Sequence, residues 1–316
     1  MTTTTDTTSR APMRISDAGM ETVLIFEHGL DLPLFAAFTT LDHPAGRTAL
    51  LDYYRGFVDI ADQYGVELVL DTATWRASQG WGAKLGYDAE ALDRINREAV
   101  AMVEQVRADR ADDAPKIWIS GAVGPAGDGY RAEVRLTVDE AKAYHAPQLR
   151  TLASADVDFA TVLTMTHIDE AIGAALAAEE AGIPVTVSFT VETDGVLPSG
   201  QTLQEAVEAV DAATGNYPDG YGVNCAHPEH FADRLSADED WCRRIGLVQA
   251  NASRMSHAEL DEAPELDPGN PTELGCDIAT LRDRLPELAI VGGCCGTSHA
   301  HIEQIAQACV PARATT

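Results

Sequence analysis

Short apolar runs recur along the chain, and amphipathic stretches separate them. Eight runs of hydrophobic and β-branched residues occupy positions 13–19, 66–73, 116–124, 157–165, 183–192, 220–228, 245–253 and 288–296. Near-continuous apolar runs of this length are typical of strands that are buried on both faces, as in parallel sheets. Because the runs alternate with helical patterns, the sequence predicts parallel strands joined by right-handed crossovers.

Helical periodicity fills the segments between the runs, with start and stop signals at several of them. Asp88 and Thr137 lie where N-caps are expected, and Gly182 and Gly215 lie where helices are expected to end. Eight strand–helix units of similar length favour closure into a single (β/α)8 TIM barrel of the α/β class. The alternative is an open doubly wound sheet, but no Gly-x-Gly-x-x-Gly turn follows the first run.

Composition restricts the partners and the location. The 316 residues include 22 Lys+Arg and 50 Asp+Glu, which gives a formal net charge of −28. This charge repels nucleic-acid backbones and anionic membrane surfaces, so we expect neither as a partner. There is no apolar run of membrane-spanning length and no signal-peptide pattern, so we expect a cytoplasmic protein. The expected organisation is a disordered tail over 1–12, a barrel domain over 13–310 and a flexible C-terminus over 311–316.

Cysteines stand at the ends of two predicted strands. Barrel enzymes carry their active sites at the carboxyl ends of the strands, and the sixth and eighth runs end at Cys225, Cys294 and Cys295. Three further cysteines lie within helical patterns and are interpreted as small core residues: Cys242, Cys276 and Cys309. Uneven spacing and a reducing compartment argue for free thiols or metal ligands, not disulfides.

Three thiolates that meet at a barrel mouth form a soft ligand set of the kind that zinc prefers. Zinc is tetrahedral, and three protein ligands leave a fourth position open, as in catalytic zinc sites. We expect Gly292, Gly293 and Gly296 to adopt unusual dihedral angles that let both adjacent cysteines reach one ion. The sequence therefore predicts a Zn²⁺ site at the C-terminal face of the barrel.

Two segments around these cysteines resemble a known family. "GYGVNCAHP" and "VGGCCGT" are similar to the signature segments of the homocysteine S-methyltransferase family, zinc-dependent thiol methyltransferases on a (β/α)8 barrel. "SDAGMET", "TATWRAS", "SGAVGPAGDGY" and "SFTVETDGVLPSGQTL" resemble further segments of that family, so the similarity covers nearly the whole chain after the tail. The resemblance implies that Cys225, Cys294 and Cys295 are catalytic as well as metal-binding.

The resemblance also implies the reaction and its partners. In the family, the zinc-bound thiolate of a small acceptor attacks a methyl group on a sulfonium or quaternary ammonium donor. The default acceptor is homocysteine, which gives methionine, and the donor is of the S-methylmethionine, S-adenosylmethionine or betaine type. Asp17 and the backbone amides beside it are expected to hold the ammonium and carboxylate of the acceptor. The full set of expected substrate-binding residues is Asp17, Ala18, Gly19, Trp75, Asn224 and Glu192. Self-association into a homo-oligomer stays open.

One departure from the family pattern affects the acceptor. Relatives commonly end the fourth strand with a glutamate that binds the amino group of homocysteine, and Leu163 stands in its place here. A lost charge-assisted hydrogen bond costs about 1.5–3 kcal/mol, enough to change which acceptor is preferred. Asp17 or Glu192 compensates, or the acceptor is a different thiol or selenol, or the chain is a non-catalytic zinc or redox-sensing barrel. Arg76, beside Trp75, is a candidate partner for a substrate carboxylate.

Overall fold

The strands form a closed parallel barrel. A computed structural model describes residues 11–263 and 265–310, apart from the side chain of Asp261. Most of the predicted tail (1–12) and all of the predicted flexible C-terminus (311–316) lie outside the described residues. The strands are β1 Arg14–Ser16, β2 Glu67–Asp71, β3 Ile117–Val123, β4 Phe159–Met165, β5 Val185–Phe189, β6 Gly220–Asn224, β7 Ile245–Ala250 and β8 Ile290–Gly293. Each pairs in parallel with the next, and β8 pairs with β1, which confirms the predicted (β/α)8 TIM barrel.

Helices follow the strands, and their ends agree with the sequence signals. They are α1 Met20–Phe26, α2 Pro44–Tyr64, α3 Gln79–Lys84, α4 Ala89–Ala108, α5 Val138–Ser154, α6 Ile168–Ala181, α7 Leu203–Thr214, α8 Pro228–Phe231, α9 His257–Glu262, α10 Pro271–Arg284 and α11 His299–Cys309. Asp88 accepts a hydrogen bond from the Ala91 amide, and Thr137 forms a capping box with Glu140. Gly182 and Gly215 end their helices in the left-handed conformation.

The structure adds helices where the sequence pattern suggested connections. Among the described residues, α1, α3 and α9 follow the carboxyl ends of β1, β2 and β7 in addition to the main helix of each unit. The helix after β6 is short, because α8 has four residues and continues as a 3₁₀ turn over Ala232–Arg234. The extra elements therefore lie at the end of the barrel where barrel enzymes place their loops.

Alternation along the strands directs apolar side chains outward to the helices and polar ones into the mouth. On β2, Leu68 and Leu70 belong to the main hydrophobic core, which also contains buried helical residues such as Tyr53 and Phe57. Val69 packs in a separate small cluster with Leu247 and Ile290. Asp71 lies on the same face of β2 as Val69, two residues further along the strand. The strand pattern thus places a carboxylate at the barrel mouth.

Strand β4 is irregular at its carboxyl end. Its register with β5 shifts between Val162 and Met165, and Thr164 has a φ of 61°. Bulges of this kind redirect side chains and are frequent beside functional sites. The irregularity contains Leu163, which faces the barrel mouth. None of the helices in the described part of the chain is long and apolar enough to cross a bilayer.

Candidate functional site

A cavity of about 470 Å³ opens at the carboxyl ends of the strands. Its walls come from the ends of β1, β2, β4, β6, β7 and β8, from the loop after β3, and from the segment around α9. Eight of the predicted site residues line it: Asp17, Ala18, Gly19, Trp75, Asn224, Cys225, Cys294 and Cys295. The remaining one, Glu192, is not among the lining residues and instead contacts His257 Nδ1 through Oε1 at 3.3 Å.

The three predicted cysteines converge inside this cavity. Their sulfur atoms all lie within 4.8 Å of one another, although Cys225 and Cys294 are 69 positions apart in the sequence. Cys225 and Cys294 are joined in a disulfide, so the prediction that the cysteines form no disulfide is wrong for this pair. The physical reason is proximity, since their Cα atoms are 5.4 Å apart. Cys295 keeps a free thiol.

The reduced form of this cluster fits zinc. Zn–S bonds of roughly 2.3 Å in a tetrahedral site put sulfur ligands about 3.8 Å from one another, which is compatible with the observed grouping. The donors are three soft thiols, and the adjoining cavity leaves space for one more ligand. Burial raises the pKa of the Cys295 thiol to about 11, against a hydrogen bond from Tyr130 that lowers it. Of the cysteines outside the cluster, Cys242 is buried as expected and Cys309 packs partly buried against the core. The interpretation is wrong for Cys276, which is exposed because it lies outside the buried face of α10.

The glycines of the "GGCCG" segment act mainly through close packing. Only Gly296 has a positive φ, 78°, so the expected unusual dihedral angles are wrong for Gly292 and Gly293, which continue β8. A Cβ atom on Gly292 would lie 1.9 Å from Ser16 Oγ, and one on Gly293 would lie 2.0 Å from Thr297 Oγ1. Both cysteines follow the last residue of β8, so strand alternation does not apply to them.

The backbone at Cys225 is held in a left-handed conformation by a residue that follows β7 and by a residue of α9. Cys225 has a φ of 55°, which is uncommon for a residue with a Cβ. Its carbonyl oxygen accepts hydrogen bonds from Asn251 Nδ2 at 3.0 Å and from His257 Nε2 at 2.8 Å. The sequence analysis did not identify His257. The segment between β7 and α10 matches none of the family segments quoted above, and the residues around His257 have the pattern of an exposed helix.

Asp17 and Asp71 form a buried pair of carboxylates. Asp17 is 1% exposed and accepts a hydrogen bond from the Asp71 amide at 3.2 Å. Asp71 is 8% exposed, and its Oδ2 accepts a hydrogen bond from Gln249 Nε2 at 2.8 Å. Burial and the neighbouring Asp71 charge hold the pKa of Asp17 well above its ordinary value, and burial raises the pKa of Asp71. Asp71 and Gln249 were not among the predicted site residues.

The backbone amides of the two residues after Asp17, Ala18 and Gly19, already donate hydrogen bonds within the protein. The Ala18 amide donates to Tyr53 Oη at 3.2 Å, and the Gly19 amide donates to Thr297 Oγ1 at 3.1 Å. A Cβ atom on Gly19 would lie 2.4 Å from the carbonyl oxygen of Cys294. Glycine therefore permits the close approach of the segment after β1 to residues 294–297, here called the cysteine turn. The amides expected to bind the acceptor are therefore already engaged.

Asn224 lines the cavity, but its side-chain amide forms hydrogen bonds to Thr164 on β4. Its Oδ1 accepts a hydrogen bond from the Thr164 amide at 2.9 Å, and its Nδ2 donates to Thr164 Oγ1 at 2.9 Å. These bonds satisfy the amide of a residue that has a left-handed φ of 61°. Asn224 therefore fixes the end of β4, including the adjacent Leu163, relative to Cys225.

A cluster of aromatic and charged side chains forms another wall. The Arg76 guanidinium lies between the Trp75 and Trp81 rings, 4.7 Å and 4.0 Å from their centroids. It is 3.9 Å from Asp128, and its buried Nε atom has no hydrogen-bond partner. Burial lowers the pKa of Arg76, against the neighbouring charge of Asp128, which raises it. Tyr130 stacks on His257 at a centroid distance of 4.0 Å.

Comparison with known proteins agrees with this architecture. A family model described as homocysteine S-methyltransferase matches residues 14–309. The chain is 26% identical to homocysteine S-methyltransferase 4 of Zea mays, over 93% of this chain and 88% of that one. It is 25% identical to homocysteine S-methyltransferase of Escherichia coli, over 81% of each chain. It is also 28% identical to betaine–homocysteine S-methyltransferase 1 of Rattus norvegicus, over 78% of this chain and 61% of that one.

Solved structures share the fold. The homocysteine methyltransferase MmuM from Escherichia coli in its oxidized form superposes with a TM-score of 0.72 at 20% identity, covering 93% of this chain and 94% of that one. Its metallated form gives a TM-score of 0.69 at 19% identity, with 94% and 96% covered. Because the family model spans nearly the entire barrel, the chain is a methyltransferase of the homocysteine S-methyltransferase family.

Proposed function

We propose that this protein transfers a methyl group from a sulfonium or quaternary ammonium donor to the sulfur of homocysteine, giving methionine. Cys225, Cys294 and Cys295 would hold zinc in their reduced form. The observation that carries the proposal is the grouping of three sulfurs within 4.8 Å of one another at the wall of a cavity large enough for small-molecule substrates. Family membership and the names of the relatives support homocysteine as the acceptor.

The chemistry requires a sulfur nucleophile and a good leaving group. Zinc held by these three cysteines would act as a Lewis acid that lowers the pKa of the acceptor thiol, so that the proton is lost to solvent and the sulfur becomes nucleophilic. A new S–CH₃ bond forms while the bond from the methyl carbon to the cationic donor atom breaks. The bonding electron pair stays on the leaving sulfur or nitrogen, which departs uncharged. No acid or base acts on the methyl group, so the chain contributes mainly orientation of the two substrates.

We propose that the donor binds between the cysteine cluster and Arg76. Arg76 is the one Lys or Arg side chain among the described residues that line the cavity. Arg76 donates a hydrogen bond to the Leu34 carbonyl oxygen and lies 3.9 Å from Asp128, and its positive charge supports contact with a carboxylate, which S-methylmethionine and betaine both carry. The donor cation then lies toward Cys295, near the carboxylate of Glu21, which also lines the cavity.

The test is methyl transfer by the zinc-loaded, reduced protein. Homocysteine is incubated with methyl-deuterated S-methylmethionine, S-adenosylmethionine or betaine, and labelled methionine is measured by mass spectrometry. We expect label from at least one donor and none after removal of zinc by a chelator. Cys295→Ala should lose both zinc and turnover, whereas the matched variant Cys276→Ala, at an exposed position outside the cluster, should keep both. Absence of labelled methionine with all donors would contradict the proposal.

A further inference from the structure

Tyr130 lines the cavity and contacts the cysteine cluster directly. It belongs to the loop between β3 and α5, and its hydroxyl donates a hydrogen bond to the sulfur of Cys295. Its ring stacks on His257 at a centroid distance of 4.0 Å and an interplanar angle of 12°. His257 in turn donates to the Cys225 carbonyl oxygen at 2.8 Å. Tyr130 is therefore linked to two of the three cysteines, to Cys295 through its hydroxyl and to Cys225 through His257.

Residues at the start of α6 anchor the loop on both sides of Tyr130. Before Tyr130, the Ala126 amide donates to Glu170 Oε1 at 2.6 Å. After it, His167 Nε2 donates to the carbonyl oxygen of Val134 at 3.1 Å, because His167 Nδ1 already accepts from the Glu170 amide. Glu170 is 1% exposed and His167 is 4% exposed, so both anchors are shielded from solvent. The hydroxyl of Tyr130 thus reaches Cys295 from a loop that is held at two points.

The position of Cys295 makes its sulfur a competing target for the methyl group. Cys295 is half-buried, lines the cavity and lies close enough to Arg76 for their charges to interact, which is the side proposed for the donor. Methyl transfer to Cys295 would form an S–CH₃ bond there and break the bond from the methyl carbon to the donor atom, which keeps the electron pair. The product is an uncharged thioether, a weaker metal ligand than a thiolate. A hydrogen bond stabilises the charge on a thiolate sulfur and so lowers its nucleophilicity.

We propose that the Tyr130 hydroxyl protects the Cys295 sulfur from methylation, so that the methyl group goes to the acceptor sulfur instead. This inference rests on the proposed function and assigns Tyr130 as a positioning residue that acts through Cys295. Because the hydrogen bond is directed at one sulfur, its loss should raise the reactivity of Cys295 selectively. A general loosening of the loop would instead make all three cysteines of the cluster more reactive.

Methylation of the zinc-loaded, reduced protein by deuterated methyl iodide tests the inference without an acceptor or an identified donor. The attacking sulfur takes the CD₃ group, and iodide leaves with the bonding electron pair. Tandem mass spectrometry of peptides measures the rate at each cysteine in wild type and in Tyr130→Phe, which keeps the stacking ring but lacks the hydroxyl. At matched zinc content, we expect Cys295 to react about fivefold faster in Tyr130→Phe. Cys225 and Cys294 should react at unchanged rates, as should the exposed Cys276, which serves as an internal reference.

A matched control removes a tyrosine hydroxyl at the opposite end of the barrel. Tyr217 donates to the Ile183 carbonyl oxygen at 2.9 Å, just before β5 begins, so Tyr217→Phe should leave the rate at Cys295 unchanged. Should Tyr130→Phe not fold, as judged by its thermal transition, Tyr130→Leu takes its place with the same expectation. An unchanged or slower rate at Cys295, or equal acceleration at all three cluster cysteines, would overturn the role of Tyr130. Failure of the proposed function has a different signature, because wild type would then form no labelled methionine with any donor, whatever the ratio of rates at Cys295.

Discussion

Single residues at the strand ends adopt conformations that their neighbours must maintain. Cys225 and Thr164 both have left-handed backbones, and such residues cost on the order of 1–3 kcal/mol each unless the surroundings fix them. Asn251 and His257 bind the Cys225 carbonyl, while Asn224 binds both the amide and the hydroxyl of Thr164. Cys225 and the adjacent cavity wall are thus positioned by hydrogen bonds from residues that are distant in the sequence.

Gly19 gives a prediction at this scale. In Gly19→Ala, the new Cβ atom would lie 2.4 Å from the Cys294 carbonyl oxygen and 2.5 Å from Thr22 Oγ1, so β1 or the cysteine turn must shift. We expect a loss of about 1–3 kcal/mol in the free energy of unfolding, measured with urea, and weaker zinc retention. Gly246→Ala on β7 is the matched control, because its Cβ atom would meet its nearest neighbour at 3.7 Å. Equal stability of the two variants would contradict this explanation.

At the scale of elements, short segments inserted after the strands complete the cavity. The segment from β7 to α10 contains α9 and contributes Ser253, Leu260, Leu266 and Asp267 to the cavity wall. His301 at the start of α11 fixes this segment, because its Nε2 donates to the Pro268 carbonyl oxygen at 2.8 Å. Its Nδ1 accepts a hydrogen bond from the Ser298 amide at 3.1 Å, which caps α11 just after the cysteine turn.

The cap of α11 predicts a pH-dependent stability. Burial lowers the pKa of His301 below its usual value of 6.5, so the unfolded chain binds more protons than the native protein below that pH. The contribution of His301 is therefore present above pH 6.5 and decreases as the pH falls. His301→Gln keeps an acceptor for the cap but does not titrate. Urea unfolding at pH 8, 7, 6 and 5 should show wild type losing stability relative to this variant on acidification. A difference that is constant over this range would refute the assignment.

The whole molecule carries far more acidic than basic groups. With 50 Asp+Glu and 22 Lys+Arg, most carboxylates have no basic partner available, and a single arginine serves several of them in places. Arg254, for example, contacts Glu229, Glu273 and Asp277. A net charge of −28 destabilises the compact state through self-repulsion, which dissolved salt screens over roughly 10 Å.

Salt should therefore stabilise this protein. Raising NaCl from 20 mM to 500 mM is expected to increase the thermal midpoint by roughly 3 °C or more, a shift that corresponds to about 1 kcal/mol in a domain of this size class. Differential scanning calorimetry measures the shift, and KCl at the same ionic strength should reproduce it because screening does not depend on the cation. A midpoint that is unchanged or lower at high salt would show that attraction within the ion-pair networks outweighs the repulsion.

Local sequence patterns predicted most of the fold. The strand runs, the N-caps Asp88 and Thr137 and the C-terminal glycines Gly182 and Gly215 depend on residues within a few positions of one another, and all of them are confirmed. The extra helices α1, α3 and α9 were not anticipated. Each has only six or seven residues, too few for helical periodicity to stand out from a loop.

For the candidate site, the sequence predicted some of the residues, whereas their contacts with residues distant in the sequence appear only in the structure. The sequence by itself predicted the barrel and the three cysteines. The succession of strands and helices predicts parallel strands, whose carboxyl ends lie at one face of the barrel, and Cys225 and the Cys294–Cys295 pair follow two of those ends. Only the tertiary structure decided that Asp71 accompanies Asp17, that His257 holds Cys225 and that Glu192 contacts His257. These contacts join residues 32 to 65 positions apart. Side-chain direction at the end of each strand depends on bulges and turns whose geometry is set by packing against the neighbouring strands, and a single chain segment does not contain that information.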